Sequence, residues 1–330
     1  MAIYAFNGNF RINAFTLAEM KTVVIGGSGH LEYAFQSANA SSIVAYAKGS
    51  DDEDLSRLAE YKIKAYDRYS DMLSAEKPDF AVINPHYYRN SKVLVDCLNL
   101  GINCFVEKPI ALNSKEVDFV IEAAHKSGAV FGTMMIHRYE PWFAKAFEMV
   151  KDGIIGEIVT VQAQKSYKMG EKAAWMLEKS KFGGLIPWVG AHTIDWLLAL
   201  GLNGLKVQFA NQSTNANKNQ GDVESNATII LANENVTASV NLDYLRPDTA
   251  NTHGDDRIRI TGEKGIIEVM NQKVEVMAEG ISLIERFENQ PNIFDHFVES
   301  LNGDVKFRVS EAEAFELAEL CISAEKMANQ

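Results

Sequence analysis

The chain has 330 residues, 47% hydrophobic and 23% charged, with a formal charge of −12; this is a globular composition with more length than one core usually organises, which points to two domains. Acids outnumber bases 44 to 32, which argues against a nucleic-acid partner, whose phosphates are bound by Lys and Arg. No apolar run approaches the roughly 18 residues needed to span a bilayer, and the three cysteines, Cys97, Cys104 and Cys321, lack C-x-x-C spacing and read as reduced core thiols of a cytoplasmic protein.

Residues 1–19 mix Ile3, Phe6, Phe10 and Phe15 with Asn7, Gly8, Asn9 and Asn13 and lack the basic start and unbroken apolar core of a signal peptide. Residues 1–20 therefore read as an N-terminal extension or an arm on another subunit. From residue 21 short apolar runs alternate with helical patterns: Thr22-Val23-Val24-Ile25, Ile43-Val44-Ala45-Tyr46, Phe80-Ala81-Val82-Ile83, Cys104-Phe105-Val106 and Val130-Phe131-Gly132. Such runs predict parallel strands buried on both faces, in a doubly wound α/β sheet over residues 21–140 with its ligand crevice at the strands' carboxyl ends. The clearest helix follows Asn113, with Glu116 as capping partner, a stripe of Val117, Val120, Ile121 and Ala124, and Gly128 as the stop. Past about residue 156 the pattern becomes strand and turn, as in Val236, Ala238, Val240 and Leu242, then Arg257-Ile258-Arg259-Ile260, Gly265-Ile266-Ile267 and Val274-Glu275-Val276. This predicts an α+β domain over residues 141–330 with a mostly antiparallel sheet. Residues 212–221 read as a polar loop. Two helices close the chain, one striped by Ile293, Phe297 and Leu301, the other capped by Ser310 and Glu313.

Gly26-Gly27-Ser28-Gly29-His30 directly follows the first strand, where a diphosphate can approach bare backbone and a helix N-terminus. In the G-x-G-x-x-G register Ser28 and Leu31 occupy the second and third glycine positions, so a plain strand-to-helix turn competes with this reading. At the end of the second strand Lys48 and Ser50 stand where a ribose-binding acid is usual, which tilts the expected cofactor from NAD towards NADP; Asp51 and Asp52 follow and could serve the ribose instead. Asn84-Pro85-His86 and Glu107-Lys108-Pro109 end two further strands at the crevice. Proline restrains the residue before it, so Lys108 is held rigidly, where a lysine of lowered pKa can exchange a proton with a substrate hydroxyl; a salt bridge to a neighbouring acid is the plainer alternative. Further on, Gly183-Gly184-Leu185-Ile186-Pro187-Trp188-Val189-Gly190-Ala191-His192-Thr193-Ile194-Asp195 joins a turn to a helix with His192 and Asp195 on one face. His192 suits proton relay and Asp195 a substrate hydroxyl, against a core histidine and a surface acid. No further ligand cluster supports a metal there.

The order and spacing of the glycine loop, Asn84-Pro85, Glu107-Lys108-Pro109, His137-Arg138-Tyr139, Asp152-Gly153-Ile154-Ile155-Gly156-Glu157-Ile158, the Gly183 to Asp195 segment and Gly262-Glu263-Lys264-Gly265-Ile266-Ile267-Glu268 resemble the glucose-fructose oxidoreductase, inositol dehydrogenase and MocA (Gfo/Idh/MocA) family from Lys21 onward. The resemblance implies an N-terminal Rossmann domain and a C-terminal domain whose open sheet forms a homodimer or homotetramer interface. A C-terminal helix packing back on the first domain is also expected. It implies hydride transfer between NAD(P) and a sugar, cyclitol or similar polyhydroxylated molecule. Lys108 would be the proton donor or acceptor with His192 in support, Asp195, Trp188, Arg138 and His253 would line the substrate, and Gly26, Gly27, Ser28, Gly29, His30, Lys48, Ser50, Asn84, Pro85, His86, Glu107, Lys108 and Pro109 would bind the cofactor. One departure stands out: four residues before His192 the family's dehydrogenases carry an aspartate and this chain has Trp188. Two other readings therefore stay open, a non-catalytic nucleotide- or sugar-binding protein and an NAD-dependent hydrolase or lyase with transient redox.

Overall fold

The structure is a computed structural model describing residues 20–216, 221–278, 281–284, 289–303 and 305–330; the extension expected at the N-terminus lies, but for Met20, outside them. Six parallel strands, β1 (Thr22–Ile25), β2 (Ile43–Ala47), β3 (Lys64–Tyr66), β4 (Phe80–Ile83), β5 (Asn103–Val106) and β6 (Phe131–Thr133), lie in the order β3-β2-β1-β4-β5-β6. Val23 and Ile25 face one core and Val24 the other, so both faces of β1 are covered and the strand reads as a continuous apolar run. Helices α1 (Glu32–Phe35), α2 (Ser56–Ala59), α3 (Tyr69–Glu76), α4 (Asn90–Asn99) and α5 (Ser114–Ser127) alternate with the strands. The signals at α5 are local and hold: the Asn113 side chain accepts the Glu116 N–H at 3.1 Å, and Gly128 ends the helix at φ +70°. Strand order reverses between β1 and β4, which places the ligand crevice of this doubly wound fold beyond their carboxyl ends.

The second domain comprises α6 (Pro141–Lys151), β7 (Ile158–Tyr167), α7 (Lys179–Phe182), a π-helical turn (Ile186–Gly190) continuing into α8 (Ala191–Ala199), and seven further strands: β8 (Lys206–Ser213), β9 (Asn226–Ala232), β10 (Thr237–Asp243), β11 (Gly254–Gly262), β12 (Gly265–Met270), β13 (Lys273–Ala278) and β14 (Ile281–Ile284). They form one sheet in the order β14-β13-β12-β11-β7-β10-β9-β8, antiparallel apart from the β7/β10 pair. Val161, Ala163, Val240, Leu242, Ile258 and Ile260 alternate onto its buried face, while Thr160, Gln162, Gln164, Ser239 and Asn241 are on the other. The loop expected from residue 212 starts later, because Gln212 and Ser213 complete β8 opposite Ala227 and Asn226; backbone pairing overrides their polar side chains. Residues 217–220 lie outside the described residues.

The chain then returns to the parallel sheet. α9 (Ile293–Leu301) lays Phe294 and Phe297 on Phe105, with ring centroids 5.4 and 5.7 Å away, and completes the core on the face opposite α4 and α5. Gly132 makes this close approach possible, since a Cβ there would stand 2.6 Å from the Phe297 ring. α10 (Glu311–Ala328), with a full Ser310–Glu313 capping box, packs against α8 and β8 and also reaches the first domain, where Glu311 accepts the Phe131 N–H at 2.9 Å. Packing back is thus the work of both terminal helices, and α9 belongs to the first core although it follows the second sheet in sequence.

Candidate active site

The glycine loop is fitted against the end of β4. Gly26 has φ +86°, and a Cβ there would stand 2.4 Å from Pro85 N; one on Gly29 would stand 2.1 Å from Asn84 Oδ1. The Ser28 N–H donates to the Asn84 carbonyl at 2.8 Å. The position expected to be a second glycine has its own function, because Ser28 Oγ and the Gly27 N–H donate to Glu53 Oε1 at 2.7 and 2.8 Å, while Gly49 and Ser50 N–H groups donate to Glu53 Oε2 at 3.0 and 3.2 Å. Glu53 is buried and ties the loop to the end of β2. Burial lifts its carboxyl, and these four donors oppose the rise. Sequence reading stopped at Asp51 and Asp52 and missed it; the signal was the acidic run after β2.

Lys48 is exposed, with Nζ 3.4 Å from the Asp51 carbonyl, and borders a cleft of about 420 Å³ with Tyr46, Leu55, Ala65, Tyr66, Asp67 and Asp71. Ser50 is buried and its hydroxyl has no partner; the same holds for both amide atoms of Asn84 and for the Thr133 hydroxyl. These orphaned groups sit at the carboxyl ends of β2, β4 and β6, where a dinucleotide would satisfy them, so the residues present fit such a cofactor. His86 stacks on Trp175 at 4.3 Å and lies 3.4 Å from Asp52; Pro85 packs beneath Gly26 and Gly49.

Beyond β5 the turn is held from several sides. Asn90 Nδ2 donates to the carbonyls of Glu107 and Pro109 at 2.9 and 2.8 Å. Glu107 is wholly buried, and its carboxylate accepts from His30 N–H at 3.0 Å, His30 Nδ1 at 2.5 Å and Lys108 N–H at 2.9 Å. Burial would raise its pKa, but His30 and Lys108 hold it below the usual carboxylate range. Lys108 is 2% exposed. Its Nζ donates to the Trp188 carbonyl at 3.1 Å and sits 2.7 Å from the centroid of the Trp188 ring, and no carboxylate of the described residues is within ion-pair distance. The salt-bridge alternative therefore does not describe Lys108. Burial, reinforced by Lys165 and Lys172 and only partly offset by Glu107, pushes the amine well below its ordinary value.

Trp188 stacks on Tyr87 at 4.4 Å and on His30 at 5.8 Å, so the residue in the place of the family's aspartate joins an aromatic wall over Lys108. His192, one turn on, is buried with Nδ1 unpartnered; burial and the nearby Lys108 and Lys165 keep its pKa well below the ordinary value, so it is neutral at pH 7. Its ring is 4.7 Å from that of His137, whose Nε2 accepts from Lys165 Nζ at 2.9 Å. His137 Nδ1 lies 3.2 Å from Glu140 Oε2 but makes no hydrogen bond. Lys165 is fully buried and also donates to Asp256 Oδ2 at 2.8 Å, its partner across the β7/β11 ladder. Burial raises Glu140 to about 7. Lys165, Asp256 and His137 were not among the expected site residues. The alternation was the available signal: Val161, Ala163 and Lys165 share the buried face, as do Asp256, Ile258 and Ile260.

Asp195 and Arg138, both expected at the substrate, meet each other. They are 1% and 5% exposed, and Arg138 donates to Asp195 through Nε at 3.0 and 3.1 Å and through Nη2 at 2.6 Å. Arg138 Nη1 meets Glu313 Oε1 at 2.7 Å and the Arg308 carbonyl. Burial opposes the guanidinium charge, but Asp195 and Glu313 win and raise its pKa. The two groups satisfy each other between α8 and α10. His253 is exposed on the rim, 5.2 Å ring to ring from Tyr167. Among the described residues no group of three or more His, Cys, Asp or Glu side chains is arranged to hold a metal ion.

A doubly wound sheet with a glycine turn at its switch point, joined to an open-sheet domain that closes over a buried lysine, defines a dinucleotide-binding two-domain oxidoreductase class. Residues 20–135 match the oxidoreductase family with NAD-binding Rossmann fold and residues 143–268 match the GFO/IDH/MocA C-terminal domain. The chain belongs to the Gfo/Idh/MocA family. The solved structure of an oxidoreductase candidate from Thermotoga maritima superposes with a TM-score of 0.91 at 35% identity, covering 94% of this chain and 98% of that one. Inositol 2-dehydrogenase of Salmonella typhimurium is 26% identical over 205 residues, 59% of this chain and 59% of the enzyme. An uncharacterized oxidoreductase of Schizosaccharomyces pombe is 24% identical over 196 residues, 56% of this chain and 52% of the relative. The chain thus spans only about half of the curated relatives' length in these matches.

Proposed function

We propose that the protein is a nicotinamide-nucleotide-dependent dehydrogenase or reductase that interconverts an alcohol and a carbonyl on a sugar, cyclitol or similar polyhydroxylated small molecule. The observation that carries this is Lys108, buried, without an acid partner and lowered in pKa at the switch-point crevice. When bound, the nicotinamide supplies the hydride acceptor or donor. In the oxidative direction uncharged Lys108 Nζ takes the substrate's hydroxyl proton, and in the reverse direction the ammonium returns it. Trp188 and Tyr87 exclude water from the amine, and neutral His192 presents the imidazole beside it. Inositol 2-dehydrogenase among the relatives supports a polyol substrate.

The expectation of NADP rested on Lys48 and Ser50, but Lys48 shares its cleft with Asp67 and Asp71, and two carboxylates disfavour a 2′-phosphate; we read NAD as the preferred nucleotide. The polar outer face of the second sheet is read as the homo-oligomer contact, and the three free buried cysteines suit a reducing cytoplasm.

The test is Lys108→Met. Turnover should fall by about 10²- to 10⁴-fold while NADH binding persists, and the wild-type oxidation rate should rise with pH to a plateau set by the lowered lysine pKa, a limb the variant lacks. A variant within a few-fold of wild type defeats the assignment. The rival reading, a binding protein without turnover, has the Trp188 ring over Lys108 in its favour; wild-type protein that binds NADH tightly yet oxidises no polyol would establish it.

A further inference from the structure

Three lysines, Lys108, Lys165 and Lys172, are near one another beside the crevice, in a chain whose net charge is −12. Lys165 is neutralised by Asp256, but Lys108 is not paired, and Trp188 supplies no carboxylate. Lys172, in the segment after β7, is half-buried; among the described residues no acid lies within ion-pair distance, and its Nζ stands 5.5 Å from the centroid of the Tyr244 ring. Tyr244 follows β10, is 5% exposed, and its hydroxyl is buried without a partner. Lys172 is near enough for its charge to weigh against protonation of both Lys108 and His253. Unpaired cations and an unpartnered hydroxyl are costly to bury unless a ligand completes them.

Resting on the dehydrogenase reading, we propose that the substrate is a sugar acid whose carboxylate is held by Lys172 Nζ and the Tyr244 hydroxyl while its reacting hydroxyl meets Lys108. One ammonium and one hydroxyl match the two oxygens of a carboxylate. A phosphate carries more charge and more acceptor oxygens than one lysine and one hydroxyl can meet, and the nearby Arg246 is already committed to Thr252 and Asp255. The carboxylate is a handle: the carbinol carbon loses hydride to the nicotinamide and its hydroxyl loses a proton to Lys108, giving a keto acid.

The experiment titrates the full-length protein, with NAD or NADH bound, against matched pairs by calorimetry and initial rate: galacturonate and galactose, glucuronate and glucose, gluconate and sorbitol, with glucose 6-phosphate as a phosphate probe. At least one acid should exceed its neutral partner by roughly 10- to 100-fold in affinity and in kcat/KM, the range of a charge-assisted contact. Lys172→Met should erase that preference, bringing the acid's KM to that of its neutral partner, and Lys172→Arg should retain most of it. Equal affinity within every pair, tighter binding of the phosphate, or an equal loss for acid and neutral sugar in Lys172→Met overturns the proposal. Turnover of neutral polyols without acid preference defeats this inference alone, whereas acid-selective binding without any nicotinamide redox defeats the dehydrogenase reading and leaves the anion site standing.

Discussion

Replacing Asp195 by alanine separates a structural role from a substrate contact. The Asp195–Arg138 pair is buried on both sides and linked by Nε contacts of 3.0 and 3.1 Å and an Nη2 contact of 2.6 Å. Removing one partner of such a pair costs about 3–5 kcal/mol because the other charge is stranded. Arg138 would keep Glu313 at 2.7 Å and the Arg308 carbonyl, so the expected loss is at the lower end, about 3 kcal/mol. For a domain of roughly 150–250 residues this corresponds to a fall in Tm of about 6–12 °C, measurable by calorimetry with and without NADH. The double variant Arg138→Met/Asp195→Leu should recover most of the loss, since apolar replacement of a buried pair is often neutral. If Asp195→Ala melted within about 2 °C of wild type while kcat/KM fell by about a hundredfold, the structural assignment would be refuted and Asp195 would be a substrate ligand.

Gly29→Ala places a Cβ 2.1 Å from Asn84 Oδ1 and 2.7 Å from Glu107 Oε2; overpacking of this kind costs about 1–3 kcal/mol, and NADH affinity measured by fluorescence titration should fall by roughly tenfold, with an unchanged affinity counting against the fitted loop. Asp67→Asn removes one of the two acids beside Lys48 and should move the NADPH-to-NADH preference towards NADPH by roughly 5-fold, about 1 kcal/mol. An identical change for both nucleotides would remove the cleft from cofactor discrimination.

What could be read from sequence was local. Both-face-buried strands, the caps at Asn113 and Ser310, and the Glu107-Lys108-Pro109 turn depend on neighbours a few residues apart, so periodicity and proline chemistry place them. The pairing of Asp195 with Arg138 joins residues 57 apart in the chain; helical spacing put His192 and Asp195 on one face but could not say that one meets a histidine and the other a guanidinium. Glu53 was hidden because its function is to accept N–H groups from two separate loops, which no motif spacing encodes. Lys165 was legible in principle, since a lysine in phase with Val161 and Ala163 is either a register error or a buried charge with a partner. Its partner Asp256 was visible only after β11 had been placed beside β7.

The route of the chain between the domains has a mechanical consequence. It crosses from β6 to α6, returns from β14 to α9, and crosses again from α9 to α10, and Arg138 and Arg308 clasp at the junction, each guanidinium donating to the other's carbonyl. Three covalent crossings and this clasp oppose rotation of one body against the other, because any hinge would have to bend at several separated strands of chain together. The catalytic lysine and the nucleotide crevice are therefore held in one fixed relation by the path of the backbone itself.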